Sequence, residues 1–215
     1  RRIPQSRTRR FFEEDYLQDQ CVIENNMTKH RLAPLKRMAR LVRDFRPEGG
    51  RLLDIGAASG LFVSYFVNDP KWAPEGIEPS RNAARHASAK YGVPIHCGFA
   101  GTLNLDENAY DAVTALDTFF LDREPNTTMQ AIKRILKPEG LVFFEIPGLN
   151  FRLLKNTWLV ARILYGNSAQ LNPAMQMFYY EEKTLSGLLA RHGFALAAKF
   201  PEQSPVYGGW FRRTL

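Results

Sequence analysis

The 215-residue chain predicts an α/β fold, a doubly wound sheet covered by helices on both faces, and three observations carry that prediction. Short apolar runs alternate with helical patterns from residue 51 onward, the signature of a parallel sheet with crossover helices. The stretch Arg51-Leu52-Leu53-Asp54-Ile55 runs into the small-residue turn Gly56-Ala57-Ala58-Ser59-Gly60 and then into apolar Leu61-Phe62. The length and the 45% hydrophobic content suffice for one sizeable core, so a second full domain is not expected.

Taken in order, residues 1–20 mix charge with Phe11, Phe12 and Tyr16 and read as an arm with a short helix, able to fold over a pocket. Between residues 31 and 46, Leu32, Leu35, Met38, Leu41, Val42 and Phe45 recur at helical spacing, with Lys36, Arg37, Arg40 and Arg43 on the other face. Residues 1–46 therefore form an N-terminal arm and amphipathic helix, ended by Pro47-Glu48-Gly49-Gly50, with the main domain over 47–215. Strands are expected at 51–55, 72–77, 94–97, 110–116 and 140–146, and helices at 59–67, 80–91 and 127–136. Ser80 suits a helix N-cap. Leu136-Lys137-Pro138-Glu139-Gly140 reads as a helix end and turn before the fifth strand. A helix over 183–192 stops at Gly193, followed by strand-like 194–200 and an aromatic run at 206–211. Residues 148–180 are left over as an insertion suited to a lid.

The net charge is +7, yet Arg1, Arg2, Arg7, Arg9 and Arg10 hold much of the excess in the arm, which argues for a solvated tail and face over a nucleic-acid surface. Cys21 and Cys97 stand far apart without metal-ligand spacing, so neither a disulfide framework nor a metal site is expected, and a reducing cytoplasm fits. No apolar run approaches the roughly 18 residues that span a bilayer, and the start lacks the apolar core of a secretory signal. The first residue is Arg1 rather than Met, which reads as a trimmed or processed chain.

The chemistry concentrates at strand ends. Asp54 closes the first strand ahead of glycines that let backbone approach a ligand, in the order Asp-x-Gly-x-x-x-Gly, which suits a nucleotide-like ligand carrying an amino group better than a dinucleotide. Glu78 closes the second strand, where two carboxylate oxygens can accept both hydroxyls of a ribose. The fourth strand, Tyr110 to Asp117, emerges beside the first at the reversal point of the sheet, where open α/β folds place their ligands.

These segments, with the Lys-Pro-x-Gly turn and the tail Phe178-Tyr179-Tyr180, Leu188-Leu189 and His192-Gly193-Phe194, resemble the class I S-adenosylmethionine-dependent methyltransferases. The tail is similar to that of the small-molecule and glycan branch, as in ubiquinone-biosynthesis O-methyltransferases. The resemblance implies a Rossmann-like seven-stranded sheet, mostly parallel with an antiparallel last strand, and S-adenosyl-L-methionine as cofactor. By resemblance, Asp54 and Gly56 meet the methionine part, with Ala58 beside them where the family often has glycine, and Gly60 allows close approach. Glu78 holds the ribose, Pro79, Phe99 and Ala100 border the adenine, and Ala115 and Leu116 offer backbone to the amine. Relatives commonly carry Glu-His just after the fourth strand, where Phe120 and Leu121 stand here, so the usual candidate base is absent.

Asp117 is then the favoured catalytic residue, placed to orient an acceptor hydroxyl or accept its proton. His30, His86, His96 and His192 are weaker candidates. Tyr16, Trp158, Gln176 and Tyr179 are candidate substrate residues on the arm and insertion. The expected activity is methyl transfer to an oxygen, or a nitrogen, of a small molecule, sugar or lipid-linked intermediate. A cofactor-binding module without catalysis is the alternative, and so is an RNA methyltransferase, which the arginine arm suggests although no Asn-Pro-Pro-Tyr-type motif is present.

Overall fold

The computed structural model describes residues 9–15, 29–147, 178, 180–204 and 210–214. After a helical turn at Phe11–Asp15, the elements run α1 (Lys29–Phe45), β1 (Gly50–Ile55), α2 (Leu61–Ser64), β2 (Trp72–Glu78), α3 (Arg81–Tyr91), β3 (Ile95–Cys97) and β4 (Tyr110–Leu116). A 3-10 turn at Phe119–Leu121, α4 (Pro125–Ile135), β5 (Leu136–Pro147), α5 (Glu182–Arg191), β6 (Phe200–Ser204) and β7 (Trp210–Thr214) complete them. The sheet order is β3-β2-β1-β4-β5-β7-β6. The chain builds outward from β1 through β2 to β3, then returns to the other side of β1 with β4, so β1 and β4 flank the reversal point. β1 to β5 are parallel, and β7 pairs antiparallel with both β5 and β6.

Alternation along each strand splits the core into two layers. Leu52, Ala112 and Phe143 face one way and pack with Leu35, Met38 and Val42 of α1 and with Phe62, Phe66 and Trp72. Their neighbours Leu53, Val113 and Phe144 face the other way, against Met129, Ile132 and Ile135 of α4 and Leu185, Leu188 and Leu189 of α5. The amphipathic pattern of α1 is thus spent on the sheet itself: Met38 and Val42 are fully buried in the same core as β1. Arg43 on its far side pairs with Asp69 at 3.0 Å, tying the helix to the turn before β2.

Polar networks pin the sheet between these layers. Glu75 on β2 accepts from Arg51 Nη2 at 2.7 Å, from the Tyr110 hydroxyl at 2.9 Å, and lies 3.0 Å from His96 Nε2, which links β1 to β4. Asp111 accepts from Arg46, Lys137 and the Arg51 N–H at 3.0, 2.8 and 2.9 Å.

Three sequence expectations need correction. The Lys-Pro-x-Gly turn lies within β5: Tyr110 pairs with Leu136 and Ala112 already with Leu141, so residues 137–140 bulge out opposite Asp111. The local turn chemistry holds, but sheet pairing resumes on both sides of it. No strand covers 194–199, and β6 begins at Phe200. The first helix is also shorter than its pattern, with α-helix at Leu61–Ser64 only.

Candidate functional site

The turn after β1 takes its shape from the end of β2. Gly56 N–H and Ala57 N–H both donate to Ile77 O, at 2.8 and 2.9 Å, and Ala58 N–H donates to Glu78 Oε2 at 2.8 Å. Two left-handed residues let the chain fold back this tightly: Gly56 at φ 79°, where a Cβ would strike the Thr118 side chain at 2.5 Å, and Ala58 at φ 48°. The Glu78 carboxylate spans the junction, its Oε1 accepting from Ser80 N–H at 2.8 Å. Ser80 caps α3 by accepting from Ala83 N–H at 3.3 Å.

A cavity of about 420 Å³ opens beside this turn at the carboxyl ends of β1, β2 and β4. Of the residues expected to hold a cofactor, it brings together Gly56, Ala58, Glu78, Pro79, Phe99, Ala100 and Leu116, along with the expected catalytic Asp117. Asp117 has φ 58° and donates its backbone N–H to Glu145 O at 3.0 Å, so β4 ends in a kink that turns the chain across the opening. A second cavity of equal volume lies between β5 and residues 192–200, lined by Phe45, Leu136, Phe194 and Phe200 among others; among the described residues no carboxylate lines it, and it lies away from those strand ends.

Glu78 is the electrostatic centre of the site. Burial pushes its carboxyl up to about 7, against the lowering effect of the Ser80 and Ala58 N–H bonds. Each oxygen carries two acceptor directions and spends one on backbone, which leaves one each for a vicinal diol. This geometry fits a ribose. Phe99 beside Pro79 offers an apolar slot of the kind a purine fills.

Three expected ligand residues are elsewhere. Asp54 does not line the cavity: it is 4% exposed, and its Oδ1 accepts from the hydroxyl of its register partner Thr114 at 2.7 Å, which turns the carboxylate into the sheet. Gly60, at φ 75°, serves helix packing, since a Cβ there would lie 2.8 Å from Ala87 Cβ and 3.0 Å from the Tyr91 ring. Ala115 is wholly buried in the core shared with α4. The substrate candidates Tyr16, Trp158, Gln176 and Tyr179 lie outside the described residues, as does all of the expected lid except Phe178 and Tyr180. None of the described histidines lines the cavity; His192, for one, sits 3.0 Å from Asn126 Oδ1.

The cavity also recruits residues that the motifs do not mark. Phe119, Phe120 and Leu121 form its apolar wall after β4, followed by Asp122, Arg123 and Thr128. From the arm, Phe12 joins the lining and Arg9 stands 5.7 Å over the Phe99 ring. The aromatic and charge mixture of residues 9–15 was the only sequence signal for these two. Among the described residues, no helix is long and apolar enough to cross a membrane.

Comparison with known proteins agrees with this fold. A family model described as a methyltransferase domain matches residues 27–199. The ubiquinone biosynthesis O-methyltransferase of Photorhabdus laumondii is 29% identical over 140 residues, covering 62% of this chain and 56% of that enzyme. The chain thus spans little more than half the length of that relative. Among solved structures, a SAM-dependent methyltransferase of Methanosarcina mazei superposes with a TM-score of 0.64 at 16% identity, covering 81% of this chain and 94% of the other. A Burkholderia thailandensis 1,6-didemethyltoxoflavin-N1-methyltransferase, solved with bound 1,6-didemethyltoxoflavin and S-adenosylhomocysteine, gives 0.62 at 16% identity, covering 85% and 77%. The structural likenesses speak for the fold, and the match over residues 27–199 shows that the chain belongs to the class I S-adenosylmethionine-dependent methyltransferase family.

Proposed function

We propose that the chain binds S-adenosyl-L-methionine at the carboxyl ends of β1, β2 and β4 and moves its methyl group to an oxygen, or a nitrogen, of a small molecule, sugar or lipid-linked acceptor. The observation that carries this reading is the Glu78 carboxylate, buried at the wall of a cavity it shares with the Gly56 turn. Its two free acceptor directions suit the ribose diol, Pro79, Phe99 and Ala100 suit the adenine, and Gly56 and Leu116 suit the amino-acid end. When bound, the cofactor supplies a methyl group already activated on a sulfonium. What remains for the protein is alignment and desolvation. Phe119, Phe120 and Leu116 exclude water from the wall, and Asp117 at the kink after β4 stands where it can orient an acceptor hydroxyl or take its proton.

Calorimetric titration with S-adenosylhomocysteine tests the binding half. The wild type is expected to bind, and Glu78→Ala to bind at least about tenfold more weakly, because charge-assisted hydrogen bonds to a diol are lost. No binding by the wild type, or equal binding by the variant, would overturn the reading.

One observation favours a second reading. The wall after β4 is Phe119-Phe120-Leu121, with no histidine among the described lining residues to act as a base. A protein that holds the cofactor without transferring methyl would look the same. Methyl-labelled cofactor offered with a panel of alcohols, phenols and amines separates the two, since turnover of any acceptor ends the second reading.

A further inference from the structure

The positive charge of the chain is lopsided. Residues 1–46 hold twelve Lys and Arg against six Asp and Glu, so six of the seven net positive charges lie there. Within that segment α1 carries six Lys or Arg among its 17 residues and a single acid, Asp44. Its inner side is spent on the core through Met38 and Val42, and Arg43 is spent on Asp69. Lys36, Arg37 and Arg40 are spent on nothing: they are exposed and have no hydrogen-bond or ion-pair partner among the described residues. Spaced at i, i+1 and i+4 they share the outer face of the helix, where like charges one turn apart repel.

Apolar groups flank this cationic face. Among the described residues three large hydrophobic side chains stand exposed, Phe45 at 38%, Val67 at 37% and Leu196 at 49%. On one side Arg43 lies over the Phe66 ring at 4.5 Å and donates to Tyr65 O at 2.7 Å, which brings the chain before Val67 against the helix. On the other side Phe45 meets Phe200 edge to face at 5.9 Å and lines the second cavity together with Leu196. Lys133 lines that cavity too, and no described carboxylate does. Cations without partners and apolar side chains without cover thus meet around the carboxyl end of α1.

We propose that the outer face of α1, with Phe45, Val67 and Leu196 around its end, is a docking surface for an anionic lipid bilayer, on which the chain lies without crossing it. Lys36, Arg37 and Arg40 meet the anionic headgroups, and the three apolar groups reach the boundary with the acyl chains. The apolar groups decide between a bilayer and a nucleic acid. Phosphates of either kind would satisfy the cations, but Val67 and Leu196 are aliphatic and give a base no ring to stack on, whereas hydrocarbon takes them. None of these residues lines the Glu78 cavity, so the surface stands apart from the cofactor reading.

Sedimentation of the full chain with lipid vesicles tests this. Phosphatidylcholine vesicles with about 30% phosphatidylglycerol should bind it, pure phosphatidylcholine should not, and raising salt from about 0.1 to 0.5 M should release it. The triple variant Lys36→Gln, Arg37→Gln, Arg40→Gln should bind about a hundredfold more weakly, at roughly fivefold per cation, with Tm near wild type. Val67→Ser combined with Leu196→Ser should weaken binding about fivefold or more and leave its salt dependence unchanged. Equal binding to neutral and anionic vesicles would overturn the proposal, and so would wild-type binding by the triple variant. A single-stranded RNA that binds more tightly than the vesicles, and loses its affinity in the triple variant, would give the face to nucleic acid instead. Both variants should bind S-adenosylhomocysteine as the wild type does, so failure here leaves the cofactor reading standing.

Discussion

With the Glu78 carboxyl pushed up to about 7 by burial, the proposed ribose contact predicts that cofactor binding depends on pH in a calculable way. To accept from both ribose hydroxyls it must be ionised, and a proton it holds in the free protein must leave when the ligand binds. At pH 6 roughly ten of eleven free molecules carry that proton, and at pH 8 roughly one of eleven, so the apparent Kd should fall about tenfold between them. Adenosine is the right probe, because it carries the ribose diol without the amino group whose own titration falls in the same range. Calorimetry in two buffers of different ionisation enthalpy should also show release of about half a proton per adenosine bound at pH 7. The stability of the free protein should run the other way. A carboxyl raised from 4.5 to about 7 contributes most below pH 4.5, and that contribution is lost as pH rises to about 7. A Kd for adenosine that is flat from pH 6 to 8, or a slope that persists in Glu78→Gln, would refute the assignment of the ribose to Glu78.

Three further substitutions test the frame. Gly60→Ala places a methyl 2.8 Å from Ala87 Cβ at a left-handed φ of 75° and should cost about 2 kcal/mol, a fall in Tm of roughly 4–8 °C by thermal melting. Tyr110→Phe removes one donor to Glu75 and should cost about 1–2 kcal/mol in urea unfolding; no change in midpoint would mean that Arg51 and His96 satisfy the acid alone. Asp111 experiences burial that raises its carboxyl, but the Lys137 and Arg51 N–H hydrogen bonds and the charges of Lys137 and Arg46 outweigh it and hold it below the usual range. Its contribution is therefore complete above pH 3.8 and lost as pH falls through the lower folded value, so Asp111→Asn should lower stability at pH 7 and flatten the acid limb below pH 4.

The parts that could be read from sequence are those whose causes are local. β4 is found over Tyr110–Leu116 as expected because all seven residues are buried, which leaves a mainly apolar run, broken only by Asp111 and Thr114. Ser80 caps α3 for the reason its residue type suggests. The bulge at 137–140 was not legible, since a Lys-Pro-x-Gly turn looks the same whether the strand begins after it or on both sides; only the Asp111 partnership with Lys137 decides. Glu78 was legible as a candidate for the cavity wall because it ends a strand next to the glycine turn. Asp54 ends the neighbouring strand with the same credentials, yet Thr114 across the ladder draws its carboxylate inward, a contact between residues 60 apart in sequence. Asp122 carried no motif at all, and only the structure shows that it lines the cavity and that burial raises its carboxyl.

Glu78 also shows why a simple deletion is a poor measure of a ligand contact in this fold. Ile77 O holds Gly56 and Ala57, and Glu78 Oε2 holds Ala58, so the last two residues of β2 template the turn after β1. Loss of the carboxylate frees Ala58 N–H at a residue whose φ of 48° is tolerated only while its neighbours hold it. Glu78→Ala therefore weakens binding through the ribose and through the turn together, and its effect exceeds the worth of two hydrogen bonds. Protonation leaves the side chain in place, with an oxygen still able to accept from Ala58, and removes only the charge. The adenosine pH series thus isolates the contact that substitution confounds, and a loss in Glu78→Ala well beyond the pH effect measures how far the turn depends on the strand beside it.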